Sequence, residues 1–355
     1  MANKADVLIV GAGVAGLCTA FWLHEAGYSI KLFDAGAVGQ ESSWAGGGII
    51  SAVPPWAYPE SINQGIARSR DLYPQLIERL QSETGIDCEY QQCGLLLCDW
   101  PEDNAQRWLV KNGITAQYAS RAEFESALNH PDTPAILLPE VSQLRSPRFV
   151  RVLHQWLLQA GVEIIAHTPI ESILHRRRSI TGIRLSNGTS VHADQVVLAA
   201  GAWTDRLLAR SGLNGFGIQP MRGQMLLYRA EPGLIRHIVN TPGGYLIPRR
   251  DGRILAGSTV EPVGFDRRPS SSGFEQLRRM AELLLPELRP DRIELHWAGL
   301  RPSIAGDKPL CGPYAEIKGL WLQSGGFRNG LGLAPANAKS LTKQIVNSDT
   351  KKVKM

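Results

Sequence analysis

Three glycines and one acid near the start of the chain are spaced for dinucleotide chemistry. Gly11, Gly13 and Gly16 stand in the order Gly-Ala-Gly-Val-Ala-Gly, directly after the apolar run Val7-Leu-Ile-Val10. In such a pattern the first glycine makes a tight turn and the second lets the backbone approach a pyrophosphate. The third lets the following helix sit close to the strand. Asp34 ends the next apolar run, where a carboxylate can accept from a ribose hydroxyl. An acid there suits an unphosphorylated ribose, as in FAD or NAD, and the motif does not choose between them.

A second set of residues suits a small carboxylic acid. Arginine matches a carboxylate with two parallel hydrogen bonds from its planar fork. Arg301 stands beside the rigid Pro302, and Arg328 lies between glycines in Gly325-Gly326-Phe327-Arg328-Asn329-Gly330. Tyr245, in Gly244-Tyr-Leu-Ile-Pro248, offers a phenol to the same carboxylate and a ring to the pocket wall. Two have a plainer alternative, an ion pair between lobes for Arg301 and an ordinary half-buried strand residue for Tyr245, while Arg328 could face substrate or cofactor.

The elements that must position these groups follow from periodicity. Residues 6–10 and 28–33 read as buried parallel strands, with a helix from about 14 to 26 stopped at Gly27. Three successive glycines, Gly46 to Gly48, suggest backbone lying flat against phosphates or a ring, or else a flexible loop. Ser42 and Ser43 just before them suit helix capping or phosphate contact. Residues 62–84 read as a helix and 90–98 as one strand. Ser146-Pro147 opens a helix whose Phe149, Val150, Leu153, Trp156 and Leu157 form a core stripe. Short strands follow over 162–166, 170–175 and 180–185, with a hairpin at Asn187-Gly188. Residues 195–200 are then a buried strand running into Gly201 and a helix cap at Thr204. This interrupted order suits FAD better than a simple NAD domain. Strands near 218–228, 244–248 and 253–257 and a helix over 272–285 make a second lobe. A strand at 294–297 returns the chain to the first, where a helix over 331–347 closes it. The N-terminus of that helix would stabilise negative charge on a reduced flavin. Pro335 falls early in it, where no intrahelical bond is lost.

The expected fold class is therefore α/β, and α+β over the whole chain. A Rossmann-like FAD-binding domain (1–85, 142–215 and 299–355) carries a second, mainly antiparallel-sheet substrate domain (86–141 and 216–298). A length of 355 residues fits two lobes. The net charge of +5 is small, and its clusters, Arg176-Arg177-Arg178 and the C-terminal lysines, read as solvated surface rather than a nucleic-acid site. No apolar run is long enough to span a membrane, and the first strand begins too early for a signal peptide, so a cytoplasmic location is expected. The 5 cysteines include the evenly spaced Cys88, Cys93 and Cys98, but no Cys-x-x-Cys pair, and read as buried thiols rather than a metal site.

Ser42-Ser-Trp-Ala-Gly-Gly-Gly-Ile49, together with the opening motif, Gly257-Ser-Thr-Val-Glu-Pro-Val-Gly-Phe-Asp266 and Phe327-Arg-Asn-Gly330, resembles the FAD-dependent amine oxidases of the D-amino acid oxidase superfamily. Within it, the glycine oxidase group of thiamine biosynthesis is the nearest pattern. The resemblance implies FAD contacts at Gly11, Gly13, Val14, Ala15, Gly16, Asp34 and Ala35. It implies others at Ser42, Ser43, Gly46, Gly47, Gly48, Ile49, Ile170 and Gly201, and through Gly326, Phe327, Arg328, Asn329, Gly330, Leu331 and Gly332. Tyr245, Arg301 and Arg328 match substrate-contacting positions. No cysteine adjoins Arg301, so non-covalent FAD is implied, as is a homotetramer. The implied reaction is hydride transfer from the α-carbon of a small amino acid, with molecular oxygen as acceptor. Positioning does most of the work and no side chain acts as base. Gly326 and Gly243 depart from the family pattern and would enlarge or repolarise the pocket. A dehydrogenase of D-amino acids or secondary amines and an idle FAD-binding subunit are the alternatives. Arg301 and Tyr245 argue against the second.

Overall fold

The computed structural model describes residues 5–349. Six strands form one sheet in the order Leu310–Pro313, Leu320–Ser324, Gln195–Leu198, Val7–Val10, Ile30–Phe33 and Glu163–Ile165. All neighbours in it are parallel except the first pair. Val7–Val10 is central and wholly buried, which is why it reads as an unbroken apolar run. Helices Val14–Glu25, Ser146–Gln159 and Gly330–Ser348 cover one face, sharing a core with Leu17, Phe21, Phe149, Trp156 and Leu341. A three-stranded meander, Ile170–Arg176, Ser179–Leu185 and Ser190–His192, covers the other with Ile173, Ile183, Val196 and Leu208 beneath it.

Eight strands form a second sheet: Ile293–Ser303, Gln219–Arg229, Arg253–Gly257, Gly244–Pro248, Ile238–Thr241, Leu95–Cys98, Pro134–Leu138 and Gln117–Ser120. Its pairings are antiparallel apart from Ile238–Thr241 with Leu95–Cys98. Helix Ser271–Leu284 packs on one face through Leu277, Ala281 and Leu284.

Four sequence expectations change. Residues 90–98 are not one strand. The N–H groups of Cys93 and Gly94 both donate to the Val141 carbonyl, so the chain kinks there. Gln91–Gln92 then pairs with Ser142–Gln143, while Leu95–Cys98 joins the large sheet. The strand expected at 294–297 runs from Ile293 to Ser303, straight through the boundary placed after residue 298. Thr204 does not cap its helix; it is the first helical residue, and its hydroxyl donates to the Gly201 carbonyl at 2.8 Å. Pro335 is the sixth residue of the last helix, beyond the first turn. The bond it cannot make to Leu331 is replaced, because the Tyr73 hydroxyl donates to the Leu331 carbonyl at 2.7 Å. Among the described residues no helix is long and apolar enough to cross a membrane, and no group of His, Cys, Asp and Glu could hold a metal ion. All five cysteines are free.

Candidate active site

The turn after the first strand has no room for side chains. Gly11 has φ +105°, and a β-carbon there would lie 2.4 Å from the Ala199 carbonyl oxygen. A β-carbon on Gly16 would lie 1.9 Å from the Gly11 carbonyl oxygen, so helix Val14–Glu25 starts hard against the turn. Gly13 caps that helix. The Val14 N–H donates to the Ser43 hydroxyl at 2.9 Å, which ties the Ser42–Ala45 turn to the helix start. Neither Ser42 nor Ser43 caps its own helix. Asp34 accepts from the Ala12 N–H at 2.7 Å and the Gly36 N–H at 2.8 Å. Burial raises its pKa, and those two donors partly offset the rise.

These residues line one cavity of about 710 Å³, within the usual range for a ligand site. Gly11, Gly13, Val14, Ala15, Asp34 and Ala35 lie along it with Ile170 and Gly201. Ser42, Ser43, Gly46, Gly47, Gly48 and Ile49 form another stretch of wall. Gly326, Phe327, Arg328, Asn329, Gly330 and Leu331 place the start of the last helix on the cavity.

Two expected residues lie outside it. Gly16 serves the turn from behind, as its contact with Gly11 requires. Gly332 faces the long helix Glu60–Thr84, where a β-carbon would come 3.2 Å from Ile66. Gly243 is also off the cavity, in the turn between Ile238–Thr241 and Gly244–Pro248, so it does not enlarge the pocket. Gly326 does line it. A β-carbon there would approach Gly330 Cα to 2.8 Å, so the tight turn accounts for the glycine.

Tyr245, Arg301 and Arg328 meet at the other end of the cavity. Tyr245 is 7% exposed and donates to Met225 Sδ at 3.5 Å. Arg301 lies across Gly223, where a β-carbon would come 1.8 Å from Nη1, and it donates to the Thr259 carbonyl at 3.0 Å. Burial lowers its pKa; the Tyr245 phenol, which hydrogen-bonds it, opposes this, while the Arg328 charge adds to it. Tyr58 was not legible in the sequence. It lines the same end, accepts a hydrogen bond from Arg328 and feels the Arg301 charge. Burial raises its phenol pKa; Arg328 and Arg301 oppose the rise, and the Asp307 carboxylate adds to it. Its only sequence signal was an aromatic residue shortly after Pro54-Pro55. Neither Arg301 nor Arg328 forms an ion pair among the described residues, so the interlobe salt bridge is not what Arg301 makes.

The family described as FAD dependent oxidoreductase matches residues 6–344. The chain belongs to that family. It is 38% identical to a glycine oxidase of Pseudomonas putida over 353 residues, covering 97% of this chain and 95% of that protein. A glycine oxidase of Pseudomonas aeruginosa is 40% identical over 340 residues, covering 94% and 93%. The crystal structure of glycine oxidase from Geobacillus kaustophilus superposes with a TM-score of 0.90 at 28% identity, covering 98% of this chain and 96% of that one. This FAD-dependent oxidoreductase has a cavity that fits its cofactor. Gly11 and Gly13 leave a bare backbone cradle. The Ser146 hydroxyl lines the cavity, buried and without a partner among the described residues. None of the five cysteines lies on the cavity wall.

Proposed function

We propose that this FAD-dependent oxidoreductase deaminates glycine, or a small related amino acid such as sarcosine or a small D-amino acid. The imino acid formed hydrolyses to glyoxylate or the keto acid and ammonia, and oxygen is reduced to hydrogen peroxide. One observation carries the reading: two guanidiniums and two phenols converge on one end of the cofactor cavity, and neither guanidinium forms an ion pair with a carboxylate among the described residues, Asp307 reaching only the Tyr58 phenol electrostatically. A small carboxylate is the ligand such a site lacks.

In this reading Arg301 grips the carboxylate and Tyr245 donates to it, which fixes the α-carbon. Arg328, exposed at the rim and held by Tyr58, adds positive potential. That potential disfavours an ammonium in the same pocket, so the substrate amine is held neutral. No base is then needed to free the nitrogen lone pair. When bound, FAD supplies the acceptor for the α-hydrogen as hydride and passes the electrons to oxygen. The start of helix Gly330–Ser348 at the cavity presents N–H groups that favour negative charge there. With no cysteine on the cavity wall, the cofactor is held non-covalently.

The test is anaerobic. The purified holoprotein is mixed with glycine, sarcosine and a panel of D-amino acids while flavin absorbance near ~450 nm is followed. Bleaching by glycine or sarcosine, with peroxide appearing on admission of air, is the expected result. A flavin that no amine bleaches would overturn the amine oxidase reading. Bleaching without peroxide would make the chain a dehydrogenase.

A further inference from the structure

Behind the Gly46–Gly48 stretch lies a guanidinium that the reaction above leaves unused. Arg249 directly follows the strand Gly244–Pro248 that carries Tyr245, and it is 6% exposed. Nη2 donates to the Gly47 carbonyl at 2.7 Å. Nη1 donates to Gln143 Oε1 at 2.6 Å and to the Leu144 carbonyl at 3.1 Å. Nε is buried without an acceptor among the described residues, and no carboxylate there pairs with the group. Burial pushes its pKa down to about 10, with the Arg145 charge acting in the same direction and the more distant Glu89 and Asp251 carboxylates acting against it. A buried cation held only by neutral oxygens is an expensive way to brace a loop.

The geometry at Gly47 gives that cation a use. In a trans peptide the C=O and the next N–H point in opposite directions. Arg249 is not on the cavity wall, whereas Gly47 and Gly48 are. By drawing the Gly47 carbonyl to itself, Arg249 turns the Gly48 N–H the other way, and no acceptor among the described residues takes that N–H. A β-carbon on Gly47 would meet Ile247 Cδ1 at 2.6 Å and stand 3.5 Å from Tyr245 Cε2. The peptide therefore lies at the substrate end of the cavity, where a redox ring must meet the substrate.

We propose that Arg249 is a positioning residue for the flavin: it locks the Gly47–Gly48 peptide so that its N–H faces the ring, and its charge favours the reduced, electron-rich form. The proposal rests on FAD occupying this cavity. Its consequences fall on cofactor affinity and reduction potential, quantities a merely structural arginine would leave alone.

The experiment compares Arg249→Met, Arg249→Gln and Arg249→Lys with Gln143→Leu, which removes another acceptor of the guanidinium but keeps the Gly47 bond. FAD affinity is measured by titrating apoprotein, the potential of bound flavin by equilibration with a reference dye, and stability by thermal unfolding. Arg249→Met should weaken FAD binding roughly tenfold or more, as for loss of a charged hydrogen bond, and move the potential to more negative values. Arg249→Lys should restore most of the potential, and Gln143→Leu should lower the unfolding temperature with the potential unmoved. Wild-type affinity and potential in Arg249→Met, with only stability reduced, would overturn the proposal. Should that variant not fold, Arg249→Gln against Arg249→Lys decides, and equal potentials in the two would overturn it. A wild-type protein that binds no FAD would remove the cofactor reading and this proposal together.

Discussion

The two ends of the cavity are built on opposite principles. At the Gly11 end, recognition is by backbone shape: bare turns and a helix start, held in place by N–H groups that donate to Asp34 and Ser43. At the Arg301 end it is by side chains that reach in from Tyr58, Tyr245, Arg301 and Arg328. The first end is fragile to added atoms, the second to removed ones. A cofactor that stays bound from one turnover to the next can be held largely by shape. A substrate that turns over needs a charge that the protein itself leaves unpaired.

The largest expected effect comes from adding one methyl group. In Gly16→Ala the new carbon would sit 1.9 Å from the Gly11 carbonyl oxygen, and backbone must move to admit it. The helix start would shift away from the turn, and the variant should purify colourless. Gly13→Ala sharpens the contrast, since its β-carbon meets only the Ser43 hydroxyl at 3.1 Å and a side chain can give way. The protein should therefore still fold, but the added methyl stands where the pyrophosphate must approach, so FAD affinity should fall with the fold kept, measured by titration of the apoprotein beside thermal unfolding. Stoichiometric FAD in Gly16→Ala would break the shape argument.

Removing a charge should come next. Arg301→Ala leaves the bound carboxylate without its fork, a loss of ~3–4 kcal/mol or roughly a few hundred-fold in kcat/KM. FAD content should stay at the wild-type level, because Arg301 acts at the end of the cavity away from the glycine turn. Steady-state kinetics with glycine, read beside the flavin spectrum, check both halves. An unchanged KM would discard the carboxylate clamp.

The same contrast explains what could be read from the chain beforehand. The glycine turn, Asp34, the Ser42–Ile49 wall and the Gly326–Leu331 turn are local patterns, each complete within a few residues, and the structure brings them to one cavity. Gly16 and Gly332 were misplaced because a glycine needed for helix packing has the same letter as one needed for a ligand. Tyr58 carries no local signal of its role because its partner, Arg328, lies far along the sequence, and Gly223 carries none because its neighbour is Arg301 on the paired strand. The parallel sheet was legible from buried apolar runs. The kink at Cys93-Gly94 was not, because it depends on a carbonyl at Val141.

The smallest expected effect tests whether the substrate end holds a base in disguise. Tyr58 touches both arginines electrostatically, and its phenol is the one titratable group of the cluster that the proposed reaction leaves without a step. Burial raises its pKa above the usual tyrosine range, so the group stays protonated where the enzyme works and offers Arg328 a neutral acceptor. Tyr58→Phe removes that acceptor and leaves the ring. Arg328 would lose its tether, KM should rise only several-fold, as for one neutral hydrogen bond, and kcat should hold. The pH profile of kcat/KM should keep its shape between about pH 6 and 9, because no ionisation in that window has been deleted. A fall in kcat of a hundredfold or more, or a lost limb in that profile, would assign proton transfer to Tyr58. The substrate end would then no longer be a site that works by charge and placement alone.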